Sequence, residues 1–207
     1  MQMRDNRKVL YDVVYEKMFA ALTGYQLFSD DLCELLYQNS TAFSFSKGDF
    51  LLTEDKDCSM LYFIVEGFCS SFYHKDGKEC IVRFSEENQF CTSWYSFLGG
   101  HKSFINIKAI KETRTIGITR DSFNNLLNNS LEFISIINRV LENHVVENEI
   151  RSHIMRSNSA EERVRHYMDT HEIYHLMKYV PQYCIASYLD MTPEVFSKIL
   201  KEIKGHK

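Results

Sequence analysis

The chain has 207 residues, room for one large domain or two small ones, and 44% hydrophobic content with 15 Phe and 12 Tyr supplies enough bulk for a core. Only two prolines and eight glycines exclude low-complexity and collagen-like classes. A formal charge of −4 excludes a uniformly basic nucleic-acid binder, yet the charge is uneven: residues 1–150 carry 15 Lys/Arg against 21 Asp/Glu, and residues 151–207 carry 9 against 7 with five histidines.

Val9, Leu10, Val13, Val14, Met18 and Ala21 recur near a helical period, which predicts an amphipathic helix over 4–22. A short second helix follows, capped by Ser29 or Asp30, with Leu32, Leu35 and Leu36 facing inward. From Ala42 to Thr119 the texture changes to short runs rich in Phe, Ile, Val and Tyr between turn residues. Asp76-Gly77 marks a hairpin, because a type I′ turn needs positive φ at both central positions. Gly48 and Gly67 punctuate further turns. About eight such runs predict an antiparallel roll, barrel or sandwich.

Asp121 opens a short helix. Leu131 to Ser157 contains no glycine or proline and predicts one long helix with two apolar lines. One line is Ile136, Val140, Ile150 and Ile154; the other is Ile134, Ile137, Leu141 and Val145. Two lines suggest two surfaces, the roll and a second copy of the chain, with Ile136, Val140, Ile150 and Ile154 assigned to dimerisation; the alternative is a core helix of a monomer. Ser159-Ala160-Glu161-Glu162 then reads as a capping box that opens a new domain. The expected segments are therefore a roll-containing domain over 1–130, a dimerisation helix over 131–157 and a carboxy-terminal domain over 158–207. Near the carboxy terminus, Ile185 to Lys204 reads as helix, tight turn, helix. Thr192 is suited to the N-cap and Pro193 to the first helical position. That layout is a helix-turn-helix DNA reader.

The six cysteines (Cys33, Cys58, Cys69, Cys80, Cys91, Cys184) form no C-x-x-C pair, so neither a zinc ribbon nor an iron–sulfur cradle is signalled. Reduced, mostly buried thiols are expected, and one redox-sensing thiol is the alternative. No stretch approaches the length of a membrane span, so the expectation is a cytoplasmic protein without a membrane partner. His171-Glu172-Ile173-Tyr174-His175 spells H-E-x-x-H. A zinc peptidase would need a third ligand and a cleft, and the residues that follow are taken up by the reader. No catalytic and no metal-ligating residue is assigned, and the cofactor is left unspecified.

This order of elements, together with KGDFLLTEDKDCSMLYFIVEGF, SAEERVRHYM and VPQYCIASYLDMTPEVFSKILKEI, resembles the CRP–FNR family of transcription regulators, and most closely its short Bacteroidetes branch. The resemblance implies an α+β protein: an antiparallel β-roll (a double-stranded β-helix) that senses, a long dimerisation helix, and a helix-turn-helix domain, here without a downstream wing. It implies double-stranded DNA, a second copy of the chain and a small-molecule effector as partners. The reading helix would span 193–204. The family's arginine, glutamate and arginine fall on Pro193, Glu194 and Lys198. Glu194 keeps an acceptor for a cytosine amino group and Lys198 a donor for guanine. Pro193 makes no equivalent contact. Thr192 takes the place of a phosphate-contacting hydroxyl, and Ser197 and Lys201 share the reader's polar face. Asp190 stands where a turn glycine is usual.

In the sensor, the phosphate-gripping Arg-Ser pair appears as Lys102-Ser103, and the ribose-holding Gly-Glu pair as Thr92-Ser93. The adenine-reading pair falls near Val146-Glu147. These departures point away from cyclic AMP. Trp94 is counted with Thr92, Ser93, Lys102 and Ser103 in the effector pocket. Tyr95 and Phe97 either line that pocket with it or belong to the core. The family's iron–sulfur form needs an amino-terminal cysteine cluster, and no cysteine precedes Cys33; no histidine sits in a haem signature. A sensor whose altered reader no longer binds DNA is the competing interpretation.

Overall fold

A computed structural model describes residues 3–205, with side chains from 13 to 203; Val9, Leu10 and Lys204 fall outside the described side chains. α1 (Met3–Leu22) and α2 (Asp30–Gln38) lead into eight strands. Ser29 caps α2 by accepting from the Leu32 N–H at 3.4 Å. Leu32 and Leu36 are buried, while Leu35 is half-buried. On α1, Val14 and Met18 face inward, but Val13 is 45% exposed and Tyr15 is buried in its place. The Tyr15 ring lies 4.7 Å from Tyr37, and its hydroxyl accepts from Ser40. An aromatic contact from α2 therefore decides which side of α1 faces in.

The strands are β1 (Thr41–Phe45), β2 (Phe50–Leu52), β3 (Met60–Glu66), β4 (Phe68–Lys75), β5 (Lys78–Glu86), β6 (Phe90–Cys91), β7 (Asn106–Ala109) and β8 (Thr113–Thr119), with α3 (Trp94–Gly99) between β6 and β7. They form two four-stranded sheets, ordered β1-β8-β3-β6 and β2-β7-β4-β5. In the first sheet all pairs are antiparallel, with Phe63 opposite both Ile116 and Phe90. β3 is buried at five consecutive positions, Leu61 to Val65, because α1 packs on β3 and β8. A strand covered on both faces loses the alternation of a half-exposed one. The turn at Asp76 (φ 51°) and Gly77 (φ 73°) joins β4 to β5 as the sequence predicts. Gly67 at φ 140° admits no side chain: an added Cβ would meet Thr113 Oγ1 at 2.5 Å.

α4 (Arg120–Asn129) and α5 (Leu131–Ser157) follow, then α6 (Ala160–Asp169), α7 (Glu172–Leu176), α8 (Gln182–Tyr188) and α9 (Pro193–Gly205). The capping box is present: the Ser159 N–H donates to Glu162 Oε2 at 2.7 Å, and the Glu162 N–H donates to Ser159 Oγ at 3.3 Å. Two compact units emerge. One joins the chain up to Cys69 with Ser85–Asn143; the other joins Ser70–Phe84 to the chain from His144 onward. Most of the β4–β5 hairpin thus belongs with the carboxy-terminal helices, and the unit boundary falls within α5. No helix among the described residues is long and apolar enough to cross a membrane.

The assignment of Ile136, Val140, Ile150 and Ile154 to a dimer seam needs correction. Ile136, Val140 and Ile154 are buried in their own chain, and Ile150 alone of the four is exposed, at 53%. A side chain already packed has no surface left for a second copy. The open side of α5 carries Val145 and Val146 instead, at 57% and 56% exposure.

Candidate ligand cassette and nucleic-acid interface

In the first unit, β6, α3 and the loop to β7 form a strand–helix–loop cassette. Arg120 fastens it: Nε donates to the Phe97 carbonyl at 2.9 Å, and Nη2 donates to the carbonyls of Cys58 and Ser96 at 2.8 and 3.0 Å. Ser96 Oγ accepts from the Cys58 N–H and donates to the His101 carbonyl. Sequence reasoning missed both residues, because an arginine that binds carbonyls far along the chain leaves no local pattern.

The expected pocket residues divide. The Thr92 hydroxyl donates to the Met60 carbonyl at 2.9 Å and lies 3.1 Å from Cys58 Sγ. The Ser103 hydroxyl donates to the Ile105 carbonyl at 2.8 Å and accepts from its N–H at 3.1 Å. Ser93 and Ser103 are buried, Trp94 is half-buried, and Lys102 is exposed. The Lys102 backbone pairs with that of Asp57, flanked by the Asp55 N–H donating to the Ser103 carbonyl and the Ser103 N–H donating to the Lys56 carbonyl, both at 2.8 Å. The cassette therefore offers the exposed Lys102 side chain on a fixed stretch of backbone, with the Thr92 and Ser103 hydroxyls already engaged. Phe97 is core, whereas Tyr95 is exposed and stacks on His101 at 4.9 Å and against Phe104 at 5.1 Å.

None of the six cysteines is in a disulfide, and four of them are buried. A hydrogen bond with Cys91 and burial push the Cys69 thiol far above its ordinary value. Burial, with Cys58 and Cys91 adding to it, pushes Tyr62 up to about 12.

In the second unit, α8 and α9 pack on each other, and α6 packs on α7 and α9. α8 ends at a left-handed Asp190 (φ 53°), with the Met191 N–H bonded back to the Ala186 carbonyl at 3.0 Å. Arg163 holds this turn through Nη2 to the Asp190 carbonyl at 3.2 Å, and reaches the Met155 carbonyl through Nη1 at 3.2 Å. Thr192 caps α9: its carbonyl accepts from the Phe196 N–H at 3.0 Å and its hydroxyl from the Val195 N–H at 3.4 Å. Phe196, Ile199 and Leu200 are buried, which leaves Thr192, Pro193, Glu194, Lys198 and Lys201 exposed and Ser197 half-buried. The Glu194 carboxyl is held below its ordinary value by its own backbone N–H and the Thr192 hydroxyl, with Lys78 contributing. Lys198 Nζ lies 3.9 Å from Glu202 in an exposed pair, so it remains available to an anion.

Tyr188, at the end of α8, is gripped from four elements. The Arg151 guanidinium lies 4.0 Å from its ring centre and donates from Nη2 to its carbonyl at 2.6 Å. The Tyr188 hydroxyl donates to Glu172 at 3.2 Å, and its ring meets Phe84 at 5.3 Å and Tyr167 at 5.7 Å. Burial pushes the Tyr188 hydroxyl well above its ordinary value and raises Glu172 too. Next to it, Ser187 Oγ donates to the Glu79 carbonyl at 3.1 Å and accepts from the Ile81 N–H at 2.9 Å, covering the outer edge of β5. The H-E-x-x-H stretch is part of this framework. His171 is a left-handed cap (φ 61°), Glu172 serves Tyr188, and His175 faces Tyr179 at 5.2 Å. Among the described residues no group of three or more His, Cys, Asp or Glu converges as a metal would need.

Residues 42–130 match the cyclic nucleotide-binding domain family. No curated protein matches the chain in sequence. Solved structures share its fold. FixK2 of Bradyrhizobium japonicum is 18% identical, with 81% of this chain and 85% of that one covered at a TM-score of 0.67. The c-di-GMP-responsive global regulator CLP of Xanthomonas campestris is 12% identical, with 86% and 93% covered at 0.68. A Eubacterium rectale protein assigned to the crp/fnr family of transcriptional regulators is 13% identical, with 86% and 85% covered at 0.65. The chain therefore has the mixed α+β fold of such regulators, a jelly-roll cyclic-nucleotide-binding-type domain followed by carboxy-terminal helices.

Proposed function

We propose that the protein is a ligand-responsive, homodimeric transcription regulator that reads a two-fold DNA operator with α9. The observation that carries this reading is the division of α9 into a buried Phe196–Ile199–Leu200 face and an open row of Thr192, Glu194, Lys198 and Lys201, presented after α8 and a tight left-handed turn. The open row has one carboxylate acceptor, two lysine donors, and a capping hydroxyl beside the backbone donors of a helix N-terminus. The fold shared with FixK2 and CLP supports it.

The effector is a small molecule other than cyclic AMP. A sugar-phosphate grip needs hydroxyls free to donate and a forked cation. Here the Thr92 and Ser103 hydroxyls are engaged with backbone, and Lys102 supplies a point charge. Productive half-site spacing is one DNA turn, about 34 Å.

Anisotropy measurements on random and promoter duplexes, with a salt titration, test the reading. Wild type binds with an affinity that falls steeply as salt rises. Lys198→Ala relaxes preference at one base position by roughly 1–3 kcal/mol. Because its ion pair with Glu202 is exposed, the substitution costs the fold only about 0.3–0.5 kcal/mol, so recognition and stability separate. Wild type that binds no duplex would instead be a sensor with a silent reader. An unchanged sequence preference in Lys198→Ala would remove Lys198 from the reading set.

A further inference from the structure

The joint around Tyr188 holds the reader without belonging to its open face. Arg151 of α5 grips the last residue of α8 by both ring and carbonyl, Glu172 of α7 takes the Tyr188 hydroxyl, and Phe84 of β5 and Tyr167 of α6 close the sides. Arg151 Nη1 is buried without a hydrogen-bond partner, and the guanidinium carbon lies 4.0 Å from the Tyr188 ring centre. One residue earlier, Ser187 bonds both a donor and an acceptor of the β5 edge. These contacts fix α8 in position and direction against α5 and the hairpin, and α9 follows α8 through a short, fixed turn. None of them touches Thr192, Glu194 or Lys198.

We infer that Arg151 and Tyr188 are positioning residues which set the half-site spacing the protein accepts, while the residues of α9 set which bases it accepts. This rests on the DNA-reading function above. In a two-fold dimer, the separation of the two α9 helices depends on how each α8 is held against its own α5. A joint with a cation–ring contact, a charge-assisted bond to a carbonyl and a half-buried hydroxyl bond holds that angle more narrowly than an apolar contact does. Loosening it widens the range of separations at little cost to base reading.

The test uses the full chain and duplexes with two copies of its selected half-site at stepped separations. Wild type prefers one separation over its neighbours by about tenfold or more. Arg151→Ala flattens that profile to about threefold or less while the base preference within each half-site is unchanged, and Arg151→Lys, which keeps a cation over the ring, restores part of it. Ser187→Ala, at a half-buried position, flattens the profile in the same direction and guards against a poorly folded Arg151→Ala. Weaker binding with the wild-type profile in both alanine variants would show a structural role only and overturn the inference. A changed base preference in Arg151→Ala would overturn it as well. Wild type binding well but without preference among separations would overturn this inference and leave the DNA-reading function intact. Wild type binding no duplex would sink both.

Discussion

His144 is a half-buried histidine on α5, and burial together with the nearby Arg83 guanidinium lowers it to about 4 from an ordinary 6.5. Between those values the unfolded chain carries a proton that the native chain refuses, so stability falls as pH drops through the window. A full shift of that size would be worth about 3 kcal/mol, and partial exposure reduces it to roughly 1–2 kcal/mol. Glu172 acts in the opposite sense. Its carboxyl is raised by burial, so the native chain takes up that proton first as pH falls toward 4.5 and recovers some stability there. The net slope reports which group dominates. Urea unfolding at roughly pH 4.5 and pH 7.5 should show wild type losing stability at the lower pH and His144→Gln losing less. Equal losses would remove His144 as the source. None of this was legible in the sequence, where His144 is one polar residue on a long helix; the shift comes first from its burial in the fold and then from Arg83, sixty-one positions earlier in the chain.

Elements whose signals are local were legible to within a residue or two. The ends of α5 follow from the absence of Gly and Pro and from the Ser159 capping box. The β4–β5 turn follows from Asp76-Gly77, and the start of α9 from Thr192-Pro193. The choice of face was not legible. α5 has two apolar lines of similar strength, and its packing partners, not its period, decided that Ile136, Val140 and Ile154 turn inward. Asp190 is the case where sequence and backbone disagree. The position adopts φ 53°, which disfavours a Cβ and which aspartate tolerates less well than glycine does. Its carbonyl is held by Arg163 through the backbone, a bond that glycine would keep. Asp190→Gly should therefore stabilise the second unit by about 0.5–1 kcal/mol, seen as a higher urea midpoint with unchanged slope. A lower midpoint would show that the aspartate side chain contributes more than its backbone strain costs.

At the scale of the molecule, the proposed operator symmetry requires two chains, and α5 offers exposed apolar surface to join them. At 27 residues it spans about 40 Å, and its open side carries Val145, Val146 and Ile150, with Asn148, Ser152 and Arg156 lining a groove beside Val145. Exposed β-branched residues on a helix already packed along its other side are what a two-stranded seam needs, and the polar residues in the groove would fix its register. A charge introduced there should separate the copies without touching the reader. Val145→Glu is accordingly expected to shift sedimentation from dimer to monomer at micromolar concentration. Thermal stability measured on monomeric protein should change little, because Val145 is not part of the core. The same variant should lose far more affinity for a duplex with two half-sites than for one with a single half-site, since a dimer gains the second contact at a high effective concentration and a monomer does not. If Val145→Glu remained dimeric, or lost both affinities equally, the seam would lie elsewhere on the chain and the groove beside Val145 would be ordinary helix surface.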